Sequence, residues 1–250
     1  IILAVTFVIG LMAIRDYLNS PNERTGGVFQ QPNQLGAFFA YNMFFFAGFF
    51  LYNFRSPRYW LMLIPFLICF RGIMVSFSRG AYIACAFGAL MLSFFRNKVL
   101  FGLVLAGLAL AILNPAFLPA GIRNRMAATF SGDTVITTDV AEVTDASAAK
   151  RLDIWKGAFE MIEERPLTGF GYGTFPVLIG EYVPSAAGAD AHNTYLIIAA
   201  EMGIPALISF LLILFIALKN ALWLLRNTED KFFKAFALGY LGGVFALIVA

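Results

Sequence analysis

Cysteine and histidine are scarce in this sequence. The 250 residues include two cysteines, Cys69 and Cys85, and one histidine, His192. Both cysteines fall inside apolar segments that carry no histidine or acidic residue at ligand spacing. We therefore expect neither a disulfide nor a zinc site, and we interpret both cysteines as apolar packing residues.

Charge is equally scarce. Only 13% of the residues are charged, whereas 60% are hydrophobic and the mean hydropathy is +0.78. This apolar content exceeds what one water-soluble core can bury, so the composition indicates a membrane protein. The net charge of +3 is small, and the basic residues form short clusters between apolar runs rather than a stripe. Nucleic acid is therefore excluded as a partner.

Apolar runs of spanning or near-spanning length predict about seven transmembrane helices. They lie at 1–14, 35–53, 59–76, 81–95, 99–118, 193–218 and 232–250. No ten-residue alternating segments of a membrane barrel occur, so we predict an all-α polytopic helical bundle. Residues 1–118 would contribute five spans, 119–192 a hydrophilic loop subdomain, and 193–250 two spans. We also expect a fragment clipped at both ends, because the chain opens without a signal peptide and stops while still apolar.

The orientation in the membrane follows from the basic connections at 54–58, 96–98 and 219–234. When the predicted spans are counted along the chain, all three connections fall on the same side of the membrane. The positive-inside rule makes that side cytoplasmic. The 15–34 loop, the turn Ser76-Phe77-Ser78-Arg79-Gly80 and the segment 119–192 then face outward, where no nucleotide donor is available.

The outward segment 119–192 holds ten of the fifteen acidic residues. Its part 131–149 is rich in Thr, Asp and Ala, which predicts an irregular stretch. From Lys150 to Glu164 the spacing of Leu152, Trp155, Phe159 and Ile162 predicts an amphipathic helix that ends before Pro166.

Ionisable groups near membrane depth are costly, so each needs a reason. Those predicted at or near the outer rim are Arg71, Arg79, Arg151, His192 and Glu201. A guanidinium fits phosphate oxygens, so Arg79 is either an anion clamp or a side chain that reaches lipid headgroups, and the same alternatives apply to Arg71.

His192 stands in Asp190-Ala191-His192-Asn193-Thr194-Tyr195, at the entry to a span. It would either accept a proton from a hydroxyl nucleophile, with Asp190 as its neighbour, or serve the helix start beside a cap formed by Asn193 or Thr194. Glu201 precedes Met202-Gly203-Ile204-Pro205, which predicts a kink, and we expect its carboxylate to pair with an arginine.

The run Gly169-Phe170-Gly171-Tyr172-Gly173 lacks the strand before it and the Lys-Ser or Lys-Thr after it that a nucleotide loop needs, so a turn is the better interpretation. No acidic cluster or Asp-x-Asp suggests a metal on the outer face, and no cofactor is expected.

Several blocks, taken together, resemble the bacterial O-antigen ligase and O-antigen polymerase superfamily. They are Gly27-Val28-Phe29-Gln30-Gln31-Pro32-Asn33-Gln34-Leu35-Gly36, Ser78-Arg79-Gly80-Ala81, Arg151 with Trp155, Pro166-Leu167-Thr168-Gly169-Phe170-Gly171, His192-Asn193-Thr194-Tyr195 and Glu201-Met202-Gly203. The blocks occur in the family's order from about 24 to 205.

The resemblance implies a metal-independent glycosyltransferase of lipopolysaccharide or polysaccharide biosynthesis in the bacterial inner membrane, with its active site facing the periplasm. Its donor would be a glycan on a polyprenyl diphosphate such as undecaprenyl diphosphate, and its acceptor a hydroxyl of a glycolipid or glycan. By position, Arg79 and Arg151 resemble the arginines that hold the diphosphate, and His192 the histidine beside the attacking hydroxyl. The expected substrate-binding residues also include Arg71, Asn33, Asn193, Tyr195 and Trp155.

The motifs do not separate a ligase from a polymerase or from a protein-glycosylating relative; we favour the ligase. From another class, a flippase of lipid-linked glycans would need charged residues along a path through the midplane, and the third to fifth spans carry none below Arg71. A scaffold protein would need none of Arg79, Arg151 and His192 to act together.

Overall fold

The computed structural model describes residues 1–20, 25–29, 31–114 and 142–249, with the backbone alone given for 142–149. Nine α-helices lie in these ranges: α1 Ile2–Asn19, α2 Pro32–Asn53, α3 Leu63–Ser76, α4 Arg79–Arg96, α5 Lys98–Leu113, α6 Glu142–Glu164, α7 Phe175–Tyr182, α8 Thr194–Asn227 and α9 Lys231–Val249. Short 3₁₀ helices stand at Gly27–Phe29, Pro57–Met62 and Pro184–Ala186. No strand occurs in the described ranges, so the predicted all-α polytopic bundle is confirmed.

Five helical segments in the described residues are long and apolar enough to cross a membrane. They are Ile2–Asn19, Pro32–Asn53, Pro57–Ser76, Thr194–Asn227 and Lys231–Val249. The predicted fourth and fifth spans are the helices α4 and α5, but α5 has only 16 residues, and the predicted continuation to 118 lies outside the described residues from 115 onward. The predicted 219–234 connection shrinks to 228–230, because Lys219 and Arg226 lie within α8 while Lys231 and Lys234 begin α9.

The chain forms two compact units. Unit 1 comprises Ile1–Arg125 and Leu218–Ala250, and unit 2 comprises Met126–Ala217.

Small residues let the helices of unit 1 pack closely. A Cβ built on Gly48 of α2 would lie 2.5 Å from the Ala235 carbonyl oxygen of α9, and one on Gly88 of α4 would lie 2.8 Å from the Gly242 carbonyl oxygen. Helices associate in a membrane through close packing of this kind, because the hydrophobic effect contributes little to helix association in lipid. The helix α9 therefore packs between α2 and α4 in the core of unit 1.

One basic residue from each of the three basic connections lies at the same end of unit 1. One open cavity is lined by the end of α2, the loop after it, the end of α4 and the start of α9. Its lining residues are Tyr52, Asn53, Phe54, Arg55, Ser56, Arg96 and Lys231, and we call it the basic cavity. The prediction that the three basic connections share one side is therefore confirmed for Arg55, Arg96 and Lys231.

In unit 2, α6 buries one face made of Ile154, Ala158 and Met161. These residues pack with Phe175 and Ile179 of α7, and the Tyr182 hydroxyl at the end of α7 donates to Glu164 Oε2 at the end of α6. The pKa of the Tyr182 phenol is raised to about 12, mainly by burial and to a smaller extent by the hydrogen bond to Glu164. The short helix α7 is thus fixed to α6 along its length.

Two predictions about α6 need correction. The amphipathic helix is confirmed, but it begins at Glu142, so the irregular stretch was wrong for 142–149, while 131–141 lies outside the described residues. Leu152 and Phe159, predicted on the apolar face, are each 56% exposed, whereas Trp155 and Ile162 border the buried face. Ile154, Ala158 and Met161 make a face of their own at helical spacing, and it is this face that α7 covers.

The predicted kink at Gly203 is confirmed and is sharp. Gly203 has φ 83° and ψ 168°, outside the helical region. The rings of Tyr195 and Phe210 lie 6.1 Å apart, whereas fifteen residues of straight helix would separate them by about 22 Å. The predicted sixth span at 193–218 is therefore not one straight rod. The helix α8 consists of a short segment up to Met202 and a longer one from Ile204, which packs back on it.

The segment after α6 fills this break. Phe170 N donates to Ala200 O at 3.0 Å, Gly171 N to Glu201 O at 2.7 Å, and Ile204 N to Pro166 O at 2.7 Å. A broken helix leaves backbone donors and acceptors without partners, and these three bonds supply them. The run Gly169–Gly173 is thus the turn that the sequence predicted.

Candidate active site

Asn33 and Arg79 lie at neighbouring helix starts in unit 1. Arg79 is the first residue of α4, and Ser78 before it accepts a hydrogen bond from Ala81 N at 3.4 Å as the N-cap. The Ser78 hydroxyl donates to Asn33 Oδ1, in the first turn of α2, at 3.0 Å. A Cβ on Gly36 would lie 2.6 Å from the Ala81 side chain, so only glycine permits this approach. The positive ends of two helix dipoles thus lie side by side, and Arg79 is the first residue of one of these helices. Such helix starts favour a bound anion.

Arg71 belongs to the same end of unit 1. Its guanidinium lies 4.7 Å from the centre of the Tyr17 ring, and Tyr17 in turn lies 6.2 Å from the Phe77 ring. Phe77 ends α3 with φ 46°, so the chain reverses within two residues before Arg79. Tyr17 and Phe77 therefore connect the surroundings of Arg71 with those of Arg79.

The start of α4 lies far from the basic cavity. Arg79 and Arg96 occupy opposite ends of α4, about 26 Å apart along its axis. Asn33 and Asn53 likewise occupy opposite ends of α2. Unit 1 therefore has two polar ends, one with Asn33 and Arg79 and one with the basic cavity.

In unit 2, Trp155 joins α6 to the residue that precedes His192. Its indole Nε1 donates to the Ala191 carbonyl oxygen at 2.8 Å. Arg151 lies one helical turn before Trp155 on α6, about 6 Å along the axis, and is half-buried. Three predicted site residues, Arg151, Trp155 and His192, therefore belong to one neighbourhood of unit 2.

His192 stands on a tight turn with its side chain exposed. Its backbone has φ 50°, in the left-handed region that costs a non-glycine residue energy. Asp190 Oδ1 accepts from His192 N at 2.6 Å, while Nδ1 of the ring lies 3.9 Å from the same oxygen. The second distance suits an ion pair with a protonated ring but is too long for a hydrogen bond. Asp190 thus fixes the backbone of His192 rather than the ring tautomer.

The residues after His192 start α8. Asn193 Oδ1 accepts from Tyr195 N at 3.1 Å and from Leu196 N at 3.2 Å, so the predicted cap is confirmed and Asn193 is the residue that forms it. The Tyr195 ring packs against Phe210. The structure therefore uses the Asn193 carbonyl for capping, and the expected contact of Asn193 and Tyr195 with substrate stays a prediction.

Glu201 has a different partner from the one we predicted. The residue is buried, and its Oε1 accepts from Phe175 N, at the start of α7, at 2.9 Å. In the part of the chain that the structure describes, no arginine pairs with it. The prediction was wrong because the break in α8 and the turn before α7 bring a backbone amide to the carboxylate, and sequence spacing does not reveal such a partner.

The described residues contain no group of three His, Cys, Asp or Glu side chains that could hold a metal ion. The charged groups that the structure does gather at the predicted site residues are Arg71 and Arg79 in unit 1, and Arg151, Asp190 and His192 in unit 2.

Comparison with known protein families identifies a match over most of the middle of the chain. The sequence profile of the O-antigen ligase family matches residues 64–211, which is more than half of the chain. The matched range includes Arg71, Arg79, Arg151, Trp155 and His192. No curated protein and no solved structure shows significant similarity to the chain. With its apolar helices and this match, the chain belongs to the O-antigen ligase family of multi-pass membrane enzymes that transfer glycosyl groups.

Proposed function

We propose that this protein transfers a glycan from a polyprenyl-diphosphate carrier to a hydroxyl of a glycolipid acceptor, at the outer face of the bacterial inner membrane. The observation that carries the proposal is the family match, which includes all three residues predicted to act in the transfer. These are Arg79 and Arg151, predicted to hold the diphosphate, and His192, predicted to lie beside the attacking hydroxyl. The ligase is favoured over a polymerase because the matched family is described as an O-antigen ligase.

The arginines neutralise the leaving group in this proposal. The acceptor oxygen forms a bond to the anomeric carbon, the bond from that carbon to the diphosphate oxygen breaks, and the polyprenyl diphosphate leaves with the electron pair. A guanidinium stays charged and offers a planar fork of donors to phosphate oxygens. Arg79 has the added support of the two helix starts beside it. Such preorganised positive charge stabilises the developing negative charge of the leaving group.

We assign to His192 the proton that the acceptor hydroxyl loses. The tight turn fixed by Asp190 and the bond from Trp155 to Ala191 hold the histidine backbone in one place. The ring projects from this turn and is exposed, as a group that meets an incoming hydroxyl must be. Asp190 at ion-pair distance would stabilise the imidazolium once the proton has been accepted.

The arginine roles are tested with the full chain in lipid vesicles, a polyprenyl-diphosphate-linked labelled oligosaccharide, a glycolipid acceptor and EDTA. We expect Arg79→Gln and Arg151→Gln each to lower kcat/KM by about 100-fold or more. Arg15→Gln on α1 and Lys156→Gln on α6 remove the same charge from exposed positions and should change it less than about twofold. Near-normal transfer in both Arg79→Gln and Arg151→Gln would overturn the diphosphate role.

The same assay distinguishes the acceptor and the role of His192. Transfer to a second carrier-linked glycan instead of the glycolipid would assign a polymerase. His192→Ala and His192→Gln should both lower kcat by about 100-fold or more with little change in donor KM, because neither side chain accepts a proton. Recovery of transfer in His192→Gln would mean that the ring only orients the acceptor.

A further inference from the structure

The basic cavity lies at the end of unit 1 opposite Asn33 and Arg79, and the proposed transfer does not use it. It gathers cations from three separate elements: Arg55 from the loop after α2, Arg96 from the last turn of α4, and Lys231 from the first turn of α9. Because these residues are distant in sequence, only the packing of α2, α4 and α9 brings their charges to one opening.

Among the described residues, no carboxylate pairs with these cations. In the part of the chain that the structure describes, no carboxylate lines the cavity and none of the three cations forms an ion pair. Asp230, beside Lys231, accepts from Phe232 N at 2.7 Å and thereby caps α9. Three like charges around one opening repel each other, so a bound anion would stabilise them.

Arg96 is held in position by the cavity wall. Its Nε and Nη2 donate to the Leu51 carbonyl oxygen at 3.4 and 3.2 Å, and its guanidinium lies 4.6 Å from the centre of the Tyr52 ring. A guanidinium anchored at one edge keeps its other donors in a fixed direction, which reduces the entropy lost on binding. Arg55 and Lys231 are exposed and can close on a ligand.

The loop beside the cavity has the composition of a membrane interface. Trp60 is 54% exposed, and its indole Nε1 donates to the Phe54 carbonyl oxygen at 2.8 Å, while Arg58 lies over the Tyr59 ring at 4.9 Å. Tryptophan and tyrosine beside basic residues at the end of a span are typical of the level of the lipid headgroups. An anion at this depth is most directly a lipid phosphate.

We propose that the basic cavity binds the headgroup phosphate of an anionic phospholipid. Arg96 and Arg55 would contact the phosphate oxygens, Lys231 would add charge, and the acyl chains would lie along the apolar outer surface beside Trp60. Basic cavities between spans commonly bind such headgroups. The inference does not depend on the proposed transfer activity, because the cavity and Arg79 lie at opposite ends of α4.

Native mass spectrometry of the full chain, released from detergent micelles that contain dioleoylphosphatidylglycerol or dioleoylphosphatidylcholine, tests this proposal. The wild-type chain should retain the anionic lipid about tenfold more than the zwitterionic one, and Arg55→Gln/Lys231→Gln should lose most of that preference. The matched double variant Arg58→Gln/Lys234→Gln removes the same charge from the same end without altering the cavity lining, and should keep it. Arg96 is left intact because its bonds to Leu51 support the fold.

Three results would overturn the proposal. The first is equal retention of both lipids by the wild-type chain. The second is an equal loss of preference in the two double variants, which would mean that general surface charge causes the effect. The third is displacement of the bound lipid by millimolar glycerol phosphate in solution, which would mean that the cavity binds free phosphate esters instead of a membrane lipid.

Discussion

At the scale of single residues, Trp155 and Glu201 each bond through the side chain to the backbone of a distant segment. Trp155 bonds to Ala191 before His192, and Glu201 to Phe175 at the start of α7. Sequence reasoning identified both residues but assigned neither bond, because the partner is a peptide group whose position depends on the turns between. By contrast, the Asn193 cap was predictable, since capping is local.

The first residue-scale prediction concerns Glu201. Glu201→Gln keeps an acceptor oxygen for the Phe175 amide, whereas Glu201→Ala leaves that buried N–H without a partner. We expect Glu201→Ala to lower the free energy of unfolding by about 1–3 kcal/mol and Glu201→Gln by clearly less. The apparent Tm of the full chain in detergent measures this difference. An equal loss in both variants would instead indicate that the negative charge pairs with a cation, as the sequence had suggested.

The second concerns Trp155, which we regard as a positioning residue for His192. Trp155→Phe keeps most of the ring volume but removes the hydrogen bond to Ala191. In the transfer assay, we expect Trp155→Phe to lower kcat about tenfold and to leave the donor KM nearly unchanged. The reason is that the substitution displaces His192 while the site for the carrier stays intact. Trp223→Phe, at an exposed position on α8, is the matched control. A rise in donor KM at constant kcat would assign Trp155 to donor binding.

At the scale of elements, hydropathy located the long apolar helices α1 to α5, α8 and α9, since exclusion of charge over about 20 residues is a strong signal. It did not reveal the apolar helix α7, whose eight residues are too few for a periodic pattern. Hydropathy also gave α8 as a single apolar run. The residues Gly203 and Pro205 indicated a kink, but the depth of the break depends on the Pro166–Gly171 segment that fills it.

A pair of glycines tests this packing. A Cβ on Gly169, at φ +63°, would lie 2.3 Å from the Glu201 carbonyl carbon, whereas one on Gly173, at φ +77°, meets nothing within 4 Å. Gly173→Ala should therefore cost about 1 kcal/mol of backbone strain alone, and Gly169→Ala about 2–4 kcal/mol because the segment must also move away from α8. Apparent Tm values provide the comparison, and equal losses would contradict the packing of this segment into the break.

At the scale of the whole molecule, the basic residues at one end of unit 1 predict its sidedness in the membrane. In a chain whose two cysteines are replaced by alanine, Ser185→Cys should react with a membrane-impermeant maleimide added outside intact cells. Glu229→Cys, in the connection between α8 and α9, should react only after permeabilisation. The opposite labelling pattern would reverse the sidedness and bring Arg151 and His192 to the cytoplasmic face.

Binding of the carrier itself tests the central claim most directly. In the presence of EDTA, the full chain should bind polyprenyl diphosphate at least about tenfold more tightly than polyprenyl monophosphate, because two arginines are assigned to the two phosphates. Arg79→Gln or Arg151→Gln should remove most of that preference, and Arg15→Gln should leave it intact. Equal affinity of the wild-type chain for the two carriers, or a preference that neither substitution alters, would contradict the account.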